Sequence, residues 1–275
     1  MRIGISGTPE LKNFKRVANK VVEALEGEDL VFEERTAEAL GRDGVPLNKL
    51  KADVLITVGG DGTILRTLQS TSLPILGVNA GVLGFLTEVQ PGEIETSMAQ
   101  LVKGDYKIDK RLKLKVVVDG KRMKDTTNEA VVHTAHVAKM RHFVVSVDNK
   151  PATQMRADGI IVATPTGSTC YAMSVGSSII DPRVEALVIA PIAPFRLSAR
   201  PLVVPAKSSI SVTIHEPKEC VMVADGQEEV FLTGNEEIVF TSSEKKARFV
   251  ILKGEFYKNL EEKLMASSPM IGHRH

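Results

Sequence analysis

Residues Gly59-Gly60-Asp61-Gly62-Thr63 stand between an apolar run, Val54 to Val58, and a helix-spaced stretch, Ile64 to Leu68, that carries Arg66. A glycine-rich turn between a strand and a helix exposes backbone N–H groups and a positive helix end to a phosphate, and here it also holds one carboxylate, Asp61, in the crevice. That combination suits phosphoryl transfer. Glycine and aspartate are also the commonest residues of ordinary strand-to-helix turns, and Asp61 has the chemistry to cap the following helix. The pentapeptide alone is compatible with both readings.

A second segment, Asp158 to Ser174, reads as a strand, a Pro165-Thr166-Gly167 turn, and then a run rich in hydroxyls: Thr166, Ser168, Thr169 and Ser174, with one aromatic, Tyr171. Hydroxyls and open backbone N–H groups suit phosphate and ribose oxygens, and an aromatic face suits an adenine ring. A third group, Thr127-Asn128-Glu129-Ala130, sets an amide beside a carboxylate, which together offer donors and acceptors to paired ribose hydroxyls. In isolation it reads as a surface turn. Asp225-Gly226-Gln227 is likewise turn-like by itself. No metal site is expected: His133, His136 and His142 lie close in sequence, but the first two fall on an apparent strand and no cysteine or carboxylate completes a zinc pattern. The G-x-x-x-x-G-K-[ST] and G-x-G-x-x-G fingerprints are absent, so any nucleotide is held in another way.

These groups need a scaffold. Arg2 to Ser6, Ala52 to Val58 and Pro74 to Val78 read as strands, with helices expected over Leu11 to Leu25, near Ile64 to Leu68, and over Gly92 to Lys103, an alternation that implies parallel pairing through crossovers. From about Lys110 the texture changes to period-two alternation, as in Leu112 to Val118 running into the Asp119-Gly120 turn. Further short strands are expected at Phe143 to Val147, Gly159 to Ala163, Ala186 to Ala190, Ile210 to Ile214, Val221 to Ala224 and Ile238 to Phe240. The expected division is an α/β domain over 1–108, a β-rich domain over 109–250, and a C-terminal stretch over 251–275 whose helix, Glu255 to Met265, packs back on the first domain before a frayed tail. The candidate residues lie in both halves, so the site is expected in a cleft between them.

The chain's 275 residues include 35 Lys and Arg against 34 Asp and Glu, and a net charge of +1 gives no electrostatic argument for nucleic acid or an anionic membrane as partner. No run of eighteen apolar residues and no signal segment is present, so the expectation is a cytoplasmic protein. Cys170 and Cys220 make no disulfide framework and are expected as reduced thiols.

Taken in order, GGDGT at 59–63, NE at 128–129, DGIIVATPTGSTCYAMSVG at 158–176, LSARPLVVP at 197–205 and DGQ at 225–227 resemble the NAD kinase family. GGDGT by itself is shared with diacylglycerol and sphingosine kinases and more loosely with phosphofructokinases, whereas the two long segments are far more specific. The resemblance implies a fold with an N-terminal α/β sheet domain of the phosphofructokinase/diacylglycerol-kinase-like type followed by a β-rich, β-sandwich-like C-terminal domain.

It implies transfer of a terminal phosphoryl group from ATP, another nucleoside triphosphate or polyphosphate, with Mg²⁺, to the 2′-hydroxyl of the adenosine ribose of NAD, giving NADP. Asp61 then matches the proton acceptor within the Gly60, Gly62, Thr63 turn, and Asn128 and Glu129 match the pair that grips the dinucleotide. Arg66, Lys139 and Arg156 fall where the family has basic contacts. Asp158, Thr166, the stretch Thr169, Cys170, Tyr171, Ala172, Met173 and Ser174, then Ala193 and Gln227 match further NAD contacts, with Tyr171 packing on adenine. Arg156 and Asp158 reach a neighbouring subunit's site in a homodimer or homotetramer. Cys170 stands where alanine is usual, Ser177 to Ile180 where a Gly-Pro pair often follows, and Phe195-Arg196 where a histidine-containing pair is frequent, departures that bear on the adenine pocket and dinucleotide preference. Two other function classes share some of these features: a lipid or sphingoid-base kinase, which would add an apolar or membrane-facing acceptor surface, and a non-catalytic NAD sensor.

Overall fold

In the computed structural model, which describes residues 1–81, 84–254 and 256–265, the alternation of the first hundred residues becomes a parallel sheet with helices packed on it. The elements are Arg2–Gly7 (β1), Phe14–Glu23 (α1), Asp29–Glu33 (β2), Glu34–Leu40 (α2), Gly44–Val45 (β3), Val54–Gly59 (β4), Asp61–Ser70 (α3), Ile75–Asn79 (β5) and Ile94–Val102 (α4). The strands lie in the order β5-β4-β1-β2-β3, all parallel. Every residue of β4 is buried because the strand is central and covered on both faces, which is why Val54-Leu55-Ile56-Thr57-Val58 is a continuous apolar run and not an alternating one. Helix α1 buries Phe14, Val17, Ala18 and Val21, the i, i+3, i+4, i+7 stripe of an amphipathic helix facing a sheet. The segment from β2 to β3 carries no clear periodicity, and its elements are absent from the expectations above.

The chain gathers into two units: residues 1–67, 73–109 and those from 249 onward form the first, and residues 68–72 and 110–248 the second. Nothing in the composition of Leu68–Ser72 separates it from the helix it ends.

The second unit contains Lys107–Val118 (β6, from residue 110), Lys121–Arg122 (β7), Glu129–Thr134 (β8), Arg141–Val147 (β9), Lys150–Ala157 (β10), Gly159–Ala163 (β11), Tyr171–Ser174 (α5), Ala186–Ile192 (β12), Leu202–Pro205 (β13), Ile210–Ile214 (β14), Cys220–Ala224 (β15), Glu228–Leu232 (β16) and most of Ile238–Ile251 (β17). One sheet is antiparallel in the order β13-β12-β11-β8-β15-β16; the other holds β10, β9, β14 and β17, with β6 also paired to β17 and β7 to β6. Alternate residues of both sheets, among them Val132, Ile160, Leu187 and Met222 from the first and Leu114, Phe143, Val212 and Phe240 from the second, form one buried cluster. That is the core of a β-sandwich. The outward face of the first sheet buries Ile161, Ala163, Val188 and Ala190 under Ala172 and Ile180. The Thr164 to Ile180 segment is therefore a lid of chain lying on a sheet.

The last three residues of β17 return to the first unit, where Phe249 pairs with Ile75, and Phe256–Met265 (α6) follows. Glu255 of the expected C-terminal helix and the expected frayed tail lie outside the described residues. No helix among the described residues is long and apolar enough to cross a membrane, and Cys170 and Cys220 form no disulfide.

Candidate active site

Each half of the candidate site is built at the end of a sheet. In the first unit Gly59 pairs with Asn79, so the turns leaving β4 and β5 run side by side. Asp61 is the first residue of α3, yet its carboxylate does not cap that helix. It reaches across to the turn after β5, where Oδ2 accepts the N–H of Phe85 at 2.6 Å and Oδ1 that of Leu86 at 2.9 Å. The turn thus commits its carboxylate to the neighbouring loop and not to the end of α3. The approach is so close that a Cβ on Gly84 would lie 1.9 Å from Asp61 Oδ1. Any larger residue there would require the Asp61 carboxylate to move. A Cβ on Gly60 or Gly62 would meet nothing within 4 Å, leaving open space over the turn.

Thr63 is buried and shares a 2.7 Å hydrogen bond with Thr8, and Arg66 donates to Gly7 O at 3.0 Å and Thr8 Oγ1 at 3.2 Å. The guanidinium is thereby fixed at the end of β1. Thr8 carried no signal in the sequence. Asn79, read there only as part of a loop, is buried and donates through Nδ2 to Gln90 Oε1 at 3.0 Å while accepting from Gly81 N at 2.9 Å.

In the second unit the expectation of a surface turn at Thr127-Asn128-Glu129 is corrected: Thr127 and Asn128 are buried, and Glu129 opens β8. A central strand flanked by β11 and β15 draws them in. Asp225, at the head of the turn between β15 and β16, accepts the N–H groups of Thr127 at 2.7 Å, Asn128 at 2.8 Å and Glu129 at 3.3 Å. Its own backbone is left-handed, with φ 49°, followed by Gly226 at 63°, the geometry that Asp-Gly adopts in a two-residue hairpin turn. Sequence reasoning saw the turn and missed the role. The available signal was an aspartate ending a strand of Val and Ala.

Three side-chain oxygens of this segment are buried with no protein partner: Thr127 Oγ1, Asn128 Oδ1 and Glu129 Oε2. Buried polar atoms are nearly always satisfied, so orphaned oxygens on consecutive residues point to a ligand that supplies the missing partners. Burial, and secondly the negative field of Asp225, push the Glu129 carboxyl up to about 8. Burial pushes Asp225 upward as well, opposed by its three backbone donors. With its carboxyl at about 8, Glu129 holds its proton at neutral pH.

Asn128 Nδ2 lies 3.2 Å from Cys170 Sγ, and a Cβ on Gly167 would meet Asn128 O at 2.2 Å, so the Thr166 to Thr169 turn rests directly on Asn128. The hydroxyls expected to meet ribose and phosphate are largely committed to the chain: Ser168 donates to Pro165 O at 2.6 Å, Thr169 to Thr166 O at 3.2 Å and Ser174 to Tyr171 O at 2.8 Å. Thr166 and Ala172 are buried, Met173 is half-buried, and Tyr171 leaves 39% of its surface open, an aromatic face that a base can stack on. Gln227 is exposed in the Asp225 turn, its N–H on Ala224 O at 2.9 Å.

Four expected contacts lie elsewhere. Lys139, Arg156 and Asp158 line a cavity with Phe195, whose ring faces the Arg156 guanidinium at 5.8 Å. In the register of β11 on β8, Gly159 pairs with His133 and Ala163 with Glu129, so Asp158 sits at the opposite end of the strand from Glu129, roughly 17 Å away by strand rise. Ala193, with φ 45°, follows Ile192, the partner of Gly159, and so belongs to that far end. Among the described residues no three His, Cys, Asp or Glu side chains gather as a metal site.

A family model described as ATP-NAD kinase N-terminal domain matches residues 6–106, and one described as ATP-NAD kinase C-terminal domain matches residues 127–252. The chain is 42% identical over 274 residues to an NAD kinase of Methanothermobacter thermautotrophicus, covering 96% of each chain. It is 40% identical over 274 residues to an NAD kinase of Thermococcus kodakarensis, covering 96% of this chain and 99% of that one. A solved NAD kinase from Archaeoglobus fulgidus in complex with ATP superposes with a TM-score of 0.78 at 30% identity, over 98% of this chain and 100% of that one. Yeast NADH kinase complexed with NADH shares the fold, with a TM-score of 0.87 at 21% identity over 100% of this chain and 90% of that one. Matches of this extent to both domain models and to full-length relatives place it without ambiguity: the chain belongs to the NAD kinase family.

Proposed function

We propose that this chain moves the terminal phosphoryl group of ATP onto the 2′-hydroxyl of the adenosine ribose of NAD, giving NADP, with Asp61 as the base. The supporting observation is the buried, unpartnered pair Asn128 Oδ1 and Glu129 Oε2. A protonated Glu129 offers a donor and Asn128 an acceptor, which together complement ribose hydroxyls, while Tyr171 presents its ring to adenine.

At Asp61 both carboxylate oxygens already accept one N–H, which fixes their direction and leaves further lone pairs for the substrate hydroxyl. The hydroxyl proton passes to Asp61 as its oxygen bonds to phosphorus and the bond from phosphorus to the bridging oxygen breaks, releasing ADP. Positioning and charge neutralisation supply most of the rate in such transfers, and the base adds about 10²- to 10⁴-fold. Mg²⁺ arrives as part of the donor, a co-substrate bound by phosphate oxygens and water, and polyphosphate would bring it in the same way. The open space over Gly60 and Gly62 suits those phosphates.

Arg156, Asp158 and Lys139 serve the site of a second copy, in a cytoplasmic homodimer or homotetramer, because the length of β8 keeps them from the Glu129 end of their own chain. The test is an assay crossing NAD and NADH against ATP and polyphosphate with Mg²⁺: NADP formation from NAD and ATP is expected, and its absence with every donor would overturn the reading.

A further inference from the structure

The second unit has a cavity of about 660 Å³ that contains none of the residues assigned above, and its size is within the about 300–1,000 Å³ range of small-molecule sites. Six cationic side chains line it, Lys113, Lys121, Arg122, Lys124, Lys245 and Lys246, against two carboxylates, Asp125 and Glu228. Asp125 is already spoken for, accepting from Arg122 at 2.9 and 3.0 Å and from Ser243 Oγ at 2.7 Å. Arg122 also pairs with Glu244 at 2.6 Å. The ammonium groups of Lys121, Lys124, Lys245 and Lys246 have no carboxylate partner among the described residues. Like charges gathered without counter-charges repel one another, so this wall is stabilised by whatever anion enters it.

The floor is built for the same occupant. Lys113 is buried with its Nζ held on Leu68 O at 2.9 Å, and burial lowers its pKa, opposed by the fields of Asp125 and Asp225 and aided by that of Lys245. Beside it Gln69 Nε2 is a buried donor with no acceptor. Glu228 Oε2 is buried without a donor, which leaves one carboxylate facing the lysines and the cavity strongly cationic in balance.

We propose that this cavity is a second anion site, distinct from the candidate catalytic residues, that takes a short linear oligophosphate, either free or as the tail of a nucleotide. An elongated, multiply charged chain matches lysines spread along a wall better than a compact single anion does. The site adjoins the nucleotide grip through the chain itself: Asp125 precedes Thr127 by two residues, and Glu228 follows Asp225 by three.

The experiment is calorimetric titration of the full chain with inorganic triphosphate, in the wild type and in a Lys121→Ala, Lys245→Ala, Lys246→Ala variant, whose exposed positions spare the fold. Loss of three cations is expected to weaken triphosphate binding at one class of site on the order of tenfold or more, with affinity falling as salt is raised. A parallel titration with ATP distinguishes the sources: an equal loss identifies a nucleotide tail, and no loss identifies free oligophosphate. Unchanged triphosphate binding in the variant, or displacement of triphosphate by an equal concentration of sulfate, overturns the proposal. None of these readouts depends on turnover, so the outcome is separate from that of the kinase assay.

Discussion

Asp225 Oδ1 accepts the backbone N–H of Asn128 at 2.8 Å, so a carboxylate from one hairpin fixes the main chain of Asn128 at the entry to the neighbouring strand. Asp225→Asn keeps the size and the tolerance for a left-handed backbone but turns an N–H₂ group toward buried donors. At least one N–H then loses its acceptor, and stability is expected to fall by about 1–3 kcal/mol in urea unfolding, with NAD binding weakened in parallel.

Glu129 predicts a pH dependence. Its folded-state pKa of about 8 stands above the ordinary 4.5, so its contribution to stability is full below about pH 4.5 and is lost as pH rises toward 8, where the folded state must ionise a buried group. Melting temperatures followed across that window should decline more steeply for the wild type than for Glu129→Gln, which has no proton to lose. Parallel profiles would show that Glu129 is not the titrating group.

Asp61→Asn should cut NADP formation by about 10²- to 10⁴-fold with little effect on NAD affinity, because the base acts in the transition state. Steady-state rates and a direct binding measurement separate the two quantities.

Gly84→Ala tests the same carboxylate from outside the turn. The added methyl carbon would stand 1.9 Å from Asp61 Oδ1, so the carboxylate must swing away. Turnover should fall nearly as far as in Asp61→Asn, and wild-type turnover in Gly84→Ala would mean that the seating of Asp61 is irrelevant to rate.

Subunit sharing is tested by mixing. Asp61→Asn and Arg156→Ala chains should each be poorly active alone, whereas co-expression should restore activity by forming one site from two intact halves. Light scattering on the same samples should report a dimer or larger.

The parallel sheet was legible because β4 is apolar without interruption and ends in glycine, and the hairpins because Asp119-Gly120 and Asp225-Gly226 carry turn chemistry in their own residues. What could not be read was long-range. Nothing near Asn128 announces that a carboxylate nearly a hundred residues later will bury it, and the hydroxyls of Ser168 and Thr169 look free until the chain folds back on its own carbonyls. The elements from β2 to β3 escaped because tertiary packing, and not periodicity, makes them. Candidate residues were found as types, and their partners emerged only from the fold.

Those committed hydroxyls have a kinetic meaning. A segment that satisfies its own polar groups, with Ala172 and Ile180 anchored in the sheet beneath, is ordered before any nucleotide arrives. If the segment serves as the proposed nucleotide wall, association carries no entropic cost of loop folding. A site of the kind proposed would then act as a template, with discrimination between bases expected as faster escape of the poorly fitting ligand from a fixed surface.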